Sequence, residues 1–248
     1  MGVIAEKKSV VCNDPRDYTM MIYGLPGVGK STLCASIPDS YFMAFEAGHK
    51  SLSVYKSPVD KPAFETWDEF RDVALAFMNN KHSFRTIIFD TITSAYEMAA
   101  QWICTKNKVD SLADLGYGKG WKMARDALNK PLIALQKAGY GLVFICHEEI
   151  KSTFITGDER TIFQPDWGGN QCKRIIYPMV DMIGYMYVAK GQVGTEMKDV
   201  HYMTFTPEPH LVAKDRSGRL LGVNHLVEPK DAGWSVIEEH FNRQETEQ

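Results

Sequence analysis

No stretch of this chain is long and apolar enough to span a bilayer. The opening residues Met1-Gly2-Val3-Ile4-Ala5-Glu6-Lys7-Lys8 lack the apolar core of a secretory signal, so the expected compartment is the cytoplasm and no membrane contact is expected. Cysteine is scarce and dispersed. Cys12, Cys34, Cys104, Cys146 and Cys172 are odd in number and show no C-x-x-C or other ligand spacing, which argues against a disulfide framework and against a zinc site. Neither sign of charge dominates: 28 Lys and Arg against 31 Asp and Glu give a formal net charge of -3. Nothing global therefore attracts nucleic acid, and any such contact has to come from a local patch. Internal repeats and low-complexity segments are also missing. With 44% hydrophobic residues, 248 residues can bury one sizeable core. A single domain over residues 1–248 is expected, with 1–16 and 243–248 peripheral.

What the chain does have is Gly24-Leu25-Pro26-Gly27-Val28-Gly29-Lys30-Ser31, a match to the phosphate-binding pattern G-x-x-x-x-G-K-[ST]. Residues 18–23 before it read as a buried strand, and residues 31–37 after it as a helix stopped by Pro38. In that setting glycines let backbone N–H groups face a polyphosphate, the helix N-terminus adds positive potential, and Lys30 supplies a charge for the outer phosphates. Gly24, Pro26, Gly27, Val28, Gly29, Lys30, Ser31 and Thr32 form the candidate nucleotide-binding set. Ser31 is also a candidate Mg²⁺ ligand through its hydroxyl. The run Thr86-Ile87-Ile88-Phe89-Asp90 supplies the second half of such a site, an apolar strand that delivers an acid to the edge where ligands of parallel sheets collect. Asp90 is thus placed to hold the Mg²⁺ water shell, and ATP with Mg²⁺ is the implied cofactor pair.

Further strands are expected at 41–46, 86–90 and 140–146, alternating with helices near 67–79, 91–105 and 120–138. Alternation of this kind implies right-handed crossovers and a mainly parallel, twisted sheet flanked by helices. After residue 180 the pattern changes. Residues 181–188 and 200–206 read as strands joined through Lys190-Gly191-Gln192-Val193-Gly194, so the sheet is expected to end in antiparallel strands. A helical lid like that of AAA+ proteins and an arginine-rich lid like that of nucleoside kinases are both missing from the sequence. The α/β class expected is a RecA-like P-loop NTPase core, by fold-level analogy.

Three more positions carry chemistry. Glu46, at the end of the second strand, lies beside the phosphate loop in this topology. It suits a general base for the attacking water, or else a solvated acid capping the next turn. His147 ends the strand from 141 and reaches the same edge as Asp90. It either senses the γ-phosphate or hydrogen-bonds the loop backbone. Lys214 and Arg216, two residues apart on an extended segment, point the same way and form either a solvated charged turn or a K-x-R finger that touches a neighbour's nucleotide.

Taken together, Gly24 to Ser31, Glu46-Ala47-Gly48, Asp90-Thr91, Gly116-Tyr117-Gly118-Lys119-Gly120-Trp121, His147 and Lys214-Asp215-Arg216-Ser217-Gly218 resemble the compact RecA-like ATPases of bacteriophages, including the Sak-type group of single-strand annealing recombinases. The resemblance spans nearly the whole chain. It implies an Mg²⁺-dependent, DNA-stimulated ATPase acting in phage DNA recombination, within a bacterial host's cytoplasm. It implies as partners single-stranded DNA, a homo-oligomer with ATP between subunits and a single-strand binding protein. By the same resemblance Glu46 matches a catalytic glutamate, and Lys30, Asp90, His147, Lys214 and Arg216 complete the catalytic set.

DNA contact is expected from a loop running from about Glu148 to Asn170, which carries Lys151, Phe154, Arg160, Phe163 and Trp167 and leads into Lys173 and Arg174. Aromatics between cations suit single strands, whose bases stack while the cations follow phosphates. Asp158, Glu159 and Asp166 dilute that charge, and the alternative reading makes part of the segment a β-hairpin packed on the domain. Lys119 is the second candidate for a phosphate contact, while Trp121 reads as the first core residue of the helix continuing through Met123, Ala127 and Leu128. A second functional reading stays open: a P-loop switch or assembly module whose target is another protein.

Overall fold

The computed structural model describes residues 11–155, 158–193, 195–227 and 233–243. The expectations for residues 1–10 and 244–248 lie outside the described residues. Ten strands form one connected sheet system: β1 (Met20–Gly24), β2 (Ser40–Ala44), β3 (Lys56–Ser57), β4 (Thr86–Asp90), β5 (Gly141–Ile155), β6 (Asp158–Pro165), β7 (Met182–Val193), β8 (Glu196–Thr204), β9 (Lys214–Asp215) and β10 (Asn224–Leu226). Among the described residues six α-helices accompany them: α1 (Lys30–Ala35), α2 (Trp67–Asn79), α3 (Ile92–Asn107), α4 (Lys119–Lys137), α5 (Asn170–Met179) and α6 (Gly233–Arg243).

The strand order is β10-β8-β7-β1-β5-β4-β2-β3. From β7 to β3 every neighbouring pair is parallel, and β8 and β10 add on antiparallel, which is the ending expected. The apolar runs cause this. Met20 to Tyr23, Ile87 to Phe89 and Leu142 to Ile145 are buried on both sides, as strands covered by helices on two faces must be. Met21, Tyr23, Met43 and Phe89 face a core completed by α2 to α5. Met20, Ile22, Phe42 and Ile88 face the opposite core, closed by Leu33 of α1 and by Trp234, Ile237 and Phe241 of α6.

Two expectations change. Trp121 is 44% exposed and is not a core residue. The buried face of α4 runs instead through Gly120, Ala124, Leu128, Leu132 and Leu135. Gly120 packs so closely that an added Cβ would lie 2.2 Å from the Leu112 carbonyl oxygen, so the helix meets its neighbour backbone to backbone there. The segment from Glu148 takes the alternative form, a β-hairpin, and is not a loop. β5 continues past His147 and pairs antiparallel with β6 from Glu148↔Pro165 to Ile155↔Asp158, after which residues 166–169 lead into α5. The ribbon has no continuous apolar run. Its strand character comes from β-branched residues such as Ile150, Thr153, Thr161 and Ile162 and from cross-strand pairing. The second hairpin forms, but Lys190 to Val193, expected as its connection, belong to β7, and the arms pair from Tyr185↔Thr204 to Val193↔Glu196.

Candidate active site

β1 lies between β5 and β7, and both neighbours run on past its end, so the phosphate loop emerges between them. Gly24 makes that exit possible, because a Cβ there would sit 2.1 Å from the Met186 carbonyl oxygen. Gly27 and Gly29 follow with φ of 80° and 97°, in the left-handed region, and a Cβ at Gly27 would meet open space. Lys30 is buried, and its Nζ donates to the carbonyls of Gly24 at 2.8 Å and Leu25 at 2.9 Å. Burial pushes its pKa down, and the nearby Asp90 carboxylate opposes that shift.

Ser31 Oγ donates to Asp90 Oδ2 at 2.6 Å. The same carboxylate oxygen lies 3.0 Å from His49 Nε2, in a contact buried from solvent. Sequence reasoning missed His49. The segment around it was read only for Glu46, and a histidine three residues beyond an acid carries no pattern of its own. Its other nitrogen, Nδ1, is buried without a hydrogen-bond partner.

Glu46 stands two residues past β2. Its own N–H and that of Phe45 both donate to the Asp90 carbonyl, at 3.1 and 2.8 Å, which ties the turn to the end of β4. Its Oε1 accepts the hydroxyls of Thr91 at 2.5 Å and Ser94 at 2.6 Å. Its Oε2 is 3.5 Å from His147 Nε2, and His147 sits opposite Gly24 in the β1–β5 register. Lys30, Ser31, Glu46, Asp90 and His147 therefore line one cleft of about 260 Å³, together with Thr32, Pro26, Gly27 and Gly29. Val28 is buried beneath it.

The donor set fits Mg²⁺ and a nucleotide. A carboxylate and a hydroxyl, both oxygen ligands of the hard kind, touch each other at the mouth of a glycine loop, and a buried ammonium is held only by carbonyls of that loop.

Lys214 and Arg216 lie elsewhere. β9 pairs with the start of β7, at Met182↔Asp215 and Ile183↔Lys214, and β7 starts beside Met20, the start of β1. The two cations therefore occupy the amino edge of the sheet, opposite the phosphate loop. Lys214 Nζ donates to the Val180 carbonyl at 2.6 Å and lies over the Tyr177 ring, and burial lowers its pKa, with Arg216 adding to the shift. Arg216 donates to Asp181 Oδ1 and to the Pro178 carbonyl, both at 2.9 Å.

The expected DNA residues divide. Lys151 and Arg160 are exposed and share one face of the β5–β6 ribbon, since Lys151 pairs with Ile162 and Arg160 with Thr153. Arg174 and Lys119 are also exposed. Trp167 is corrected: it is 4% exposed and capped by Lys173 at 5.5 Å, so it offers no face to a base. Phe163 is half-buried, with Tyr185 and His210 beside its ring. The side chain of Phe154 lies outside the described residues.

A glycine loop with its buried lysine, an acid at the end of the next-but-one strand and a carboxylate positioned across the cleft define a P-loop ATPase built on an α/β sheet. More particularly, the chain belongs to the family described as AAA domain, which matches residues 16–217. Among solved structures, the KaiC-like protein PH0186 from the hyperthermophilic archaeon Pyrococcus horikoshii OT3 is similar, at 13% identity and a TM-score of 0.47, with 88% of each chain covered. A sequence comparison with curated proteins gave no match. No described helix is long and apolar enough to cross a membrane.

Proposed function

We propose that this P-loop ATPase hydrolyses Mg·ATP between subunits of a homo-oligomer and acts on single-stranded DNA in recombination, promoting annealing. The observation that carries the hydrolytic part is the placement of Glu46. Its carboxylate is fixed by two hydroxyls on one oxygen while the other oxygen faces the cleft beside His147. In this reading Glu46 Oε2 takes the proton from the attacking water, Lys30 leaves its loop carbonyls for the outer phosphates, and Ser31 and Asp90 hold Mg²⁺. Bound Mg²⁺ supplies neutralisation of the phosphate charge. His147 would report the state of that corner to β5, the strand that becomes the ribbon.

Assembly is supported by the position of Lys214 and Arg216. At the amino edge of the sheet they are on the wrong side to serve their own phosphate loop, so a role in hydrolysis is open to them only at a neighbour's site. DNA contact rests on the exposed cations of the ribbon and of α5, Lys151, Arg160 and Arg174. With Trp167 and Phe163 packed into the domain, contact there is to phosphates more than to bases, and its salt dependence should be steep. A single-strand binding protein as partner, and a phage origin, rest on the family resemblance alone.

ATPase turnover of the purified protein, with and without single-stranded DNA and across salt and protein concentration, tests the proposal. Stimulation that fades with salt and rises steeply with protein concentration is expected. Turnover indifferent to DNA at every concentration would shift the reading to a switch that acts on a protein.

A further inference from the structure

We propose that the groove between α2, α3 and α4 docks an acidic peptide segment of another protein, anchored by one large apolar side chain. The groove measures about 470 Å³, and its apolar lining includes Met123, Ala127 and Pro131. Its rim is cationic: Arg71, Lys106 and Lys130 stand against a single lining carboxylate, Asp126. On a chain whose formal net charge is -3, this concentrates positive potential where an apolar surface is open.

The partners of these charges sharpen the point. Asp126 pairs with Arg125 at 3.2 Å, and Arg71 with Asp68 at 2.7 Å. Lys106 and Lys130 pair with no carboxylate among the described residues, and both are exposed. Two carboxylates of a ligand therefore have two ammonium groups to meet.

The apolar surface does not stop at the groove. Leu75 and Met78 continue from Arg71 along α2, one and two turns on, and are 48% and 38% exposed. An extended or helical peptide brings carboxylates together with an apolar anchor.

Nucleic acid shares the taste for cations and aromatics, but this groove suits it poorly. The Trp102 ring, the stacking candidate, is covered by Lys106 at 4.6 Å and by Arg71 at 5.4 Å, and its N–H is taken by Asp68 at 3.1 Å. The inference stands apart from the proposed DNA role, because none of these residues lies in the nucleotide cleft or on the ribbon.

Fluorescence anisotropy with the full chain tests it. The probe is a fluorescein-labelled peptide of aspartates around a central phenylalanine. Two controls replace aspartate by asparagine, or phenylalanine by serine. The acidic aromatic peptide should bind, each control should bind about tenfold more weakly, and Lys106→Glu with Lys130→Glu should weaken the probe about tenfold or more. Lys106→Ala with Lys130→Ala, at the same exposed positions, should give a smaller loss in the same direction. Equal binding of the asparagine control, or binding unchanged by both double variants, would overturn the proposal. So would labelled oligothymidylate that binds where the peptide does not and is released by the same variants, which would reassign the groove to nucleic acid.

Discussion

Glu46 and Thr91 face each other across the ends of β2 and β4, and the threonine hydroxyl donates to Oε1 of the carboxylate at 2.5 Å. Ser94 donates to that same oxygen, and Thr91 also caps the helix that carries Ser94, so one short segment both starts α3 and orients the acid. Such an arrangement leaves Oε2 as the basic atom. Glu46→Gln is expected to keep nucleotide affinity within about threefold while lowering kcat by about 10²-fold or more, the usual contribution of a positioned base. Thr91→Val should lower kcat by a smaller factor. Stopped-flow binding of a fluorescent ATP analogue beside steady-state turnover separates the two quantities, and equal kcat for Glu46→Gln would remove Glu46 from the mechanism.

Lys30 gives the converse result. Its ammonium is desolvated and bonded only to two carbonyls, a costly position unless phosphate oxygens replace them. Lys30→Ala should weaken ATP by about 10- to 100-fold, since charge-assisted hydrogen bonds contribute roughly 1.5–3 kcal/mol each. Isothermal titration with ATP and Mg²⁺ measures it. Unaltered affinity would mean that the nucleotide is held elsewhere.

How much of this was legible beforehand differs by element. The nucleotide cleft was, because a parallel strand buried on both faces must read as an apolar run, and the residue after that run must lie at the sheet edge. Lys30, Ser31, Glu46, Asp90 and His147 all meet there for that reason. His49, Thr91 and Ser94 act as partners of those residues through turns whose geometry no spacing rule encodes. The β5–β6 ribbon was legible only as an alternative to a loop, for a different reason: it projects beyond the core, so no burial pattern marks it, and Trp167, which belongs with the loop reading, packs inside. Trp121 was misplaced by one helical position because Gly120 takes the close contact with Leu112 that a larger residue cannot.

The two kinds of residue in the 148–174 segment should therefore respond differently. Lys151→Ala with Arg160→Ala should weaken single-stranded DNA and flatten the dependence of affinity on salt by about 0.7 in logarithmic slope per lost phosphate contact. Trp167→Ala should instead cost stability, by about 3–5 kcal/mol, as for other buried aromatics. Gel shifts at several salt concentrations and urea unfolding distinguish the two. A Trp167→Ala protein of unchanged stability would return that ring to the surface.

His225 and His240 join β10 to α6, Nδ1 to Nδ1, at 2.5 Å. His225 Nε2 meets the Leu220 carbonyl at 3.0 Å, so Nε2 carries the proton, Nδ1 accepts, and His240 donates. Burial lowers the His225 pKa below 6.5, with the charge of His240 acting in the same direction and the Leu220 carbonyl and Asp215 opposing it. The unfolded chain thus binds more protons than the folded one just below pH 6.5, so stability falls as the solution is acidified through that range. Thermal unfolding between pH 7.5 and 5 should show this loss, and His225→Gln should reduce it. An equal loss in the variant would place the titration elsewhere.

Arg216 is the test of assembly. It lies at the amino edge of the sheet, held by Asp181, while the phosphate loop leaves the carboxyl edge, so it contributes to hydrolysis only by leaving Asp181 for a neighbour's nucleotide. An arginine supplied to the transferring phosphate is worth on the order of 10³-fold in rate. Arg216→Ala should therefore bind ATP normally and hydrolyse it poorly, and Lys30→Ala should bind it weakly. Under the proposed assembly each variant lacks a different half of a shared site. When the two are mixed, a Lys30→Ala subunit still presents an intact Arg216 to an Arg216→Ala neighbour whose own phosphate loop is intact. Turnover of the mixture should exceed that of either variant alone and peak near equal proportions. No gain at any ratio, with both variants shown to assemble by light scattering, would confine Arg216 to its bond with Asp181.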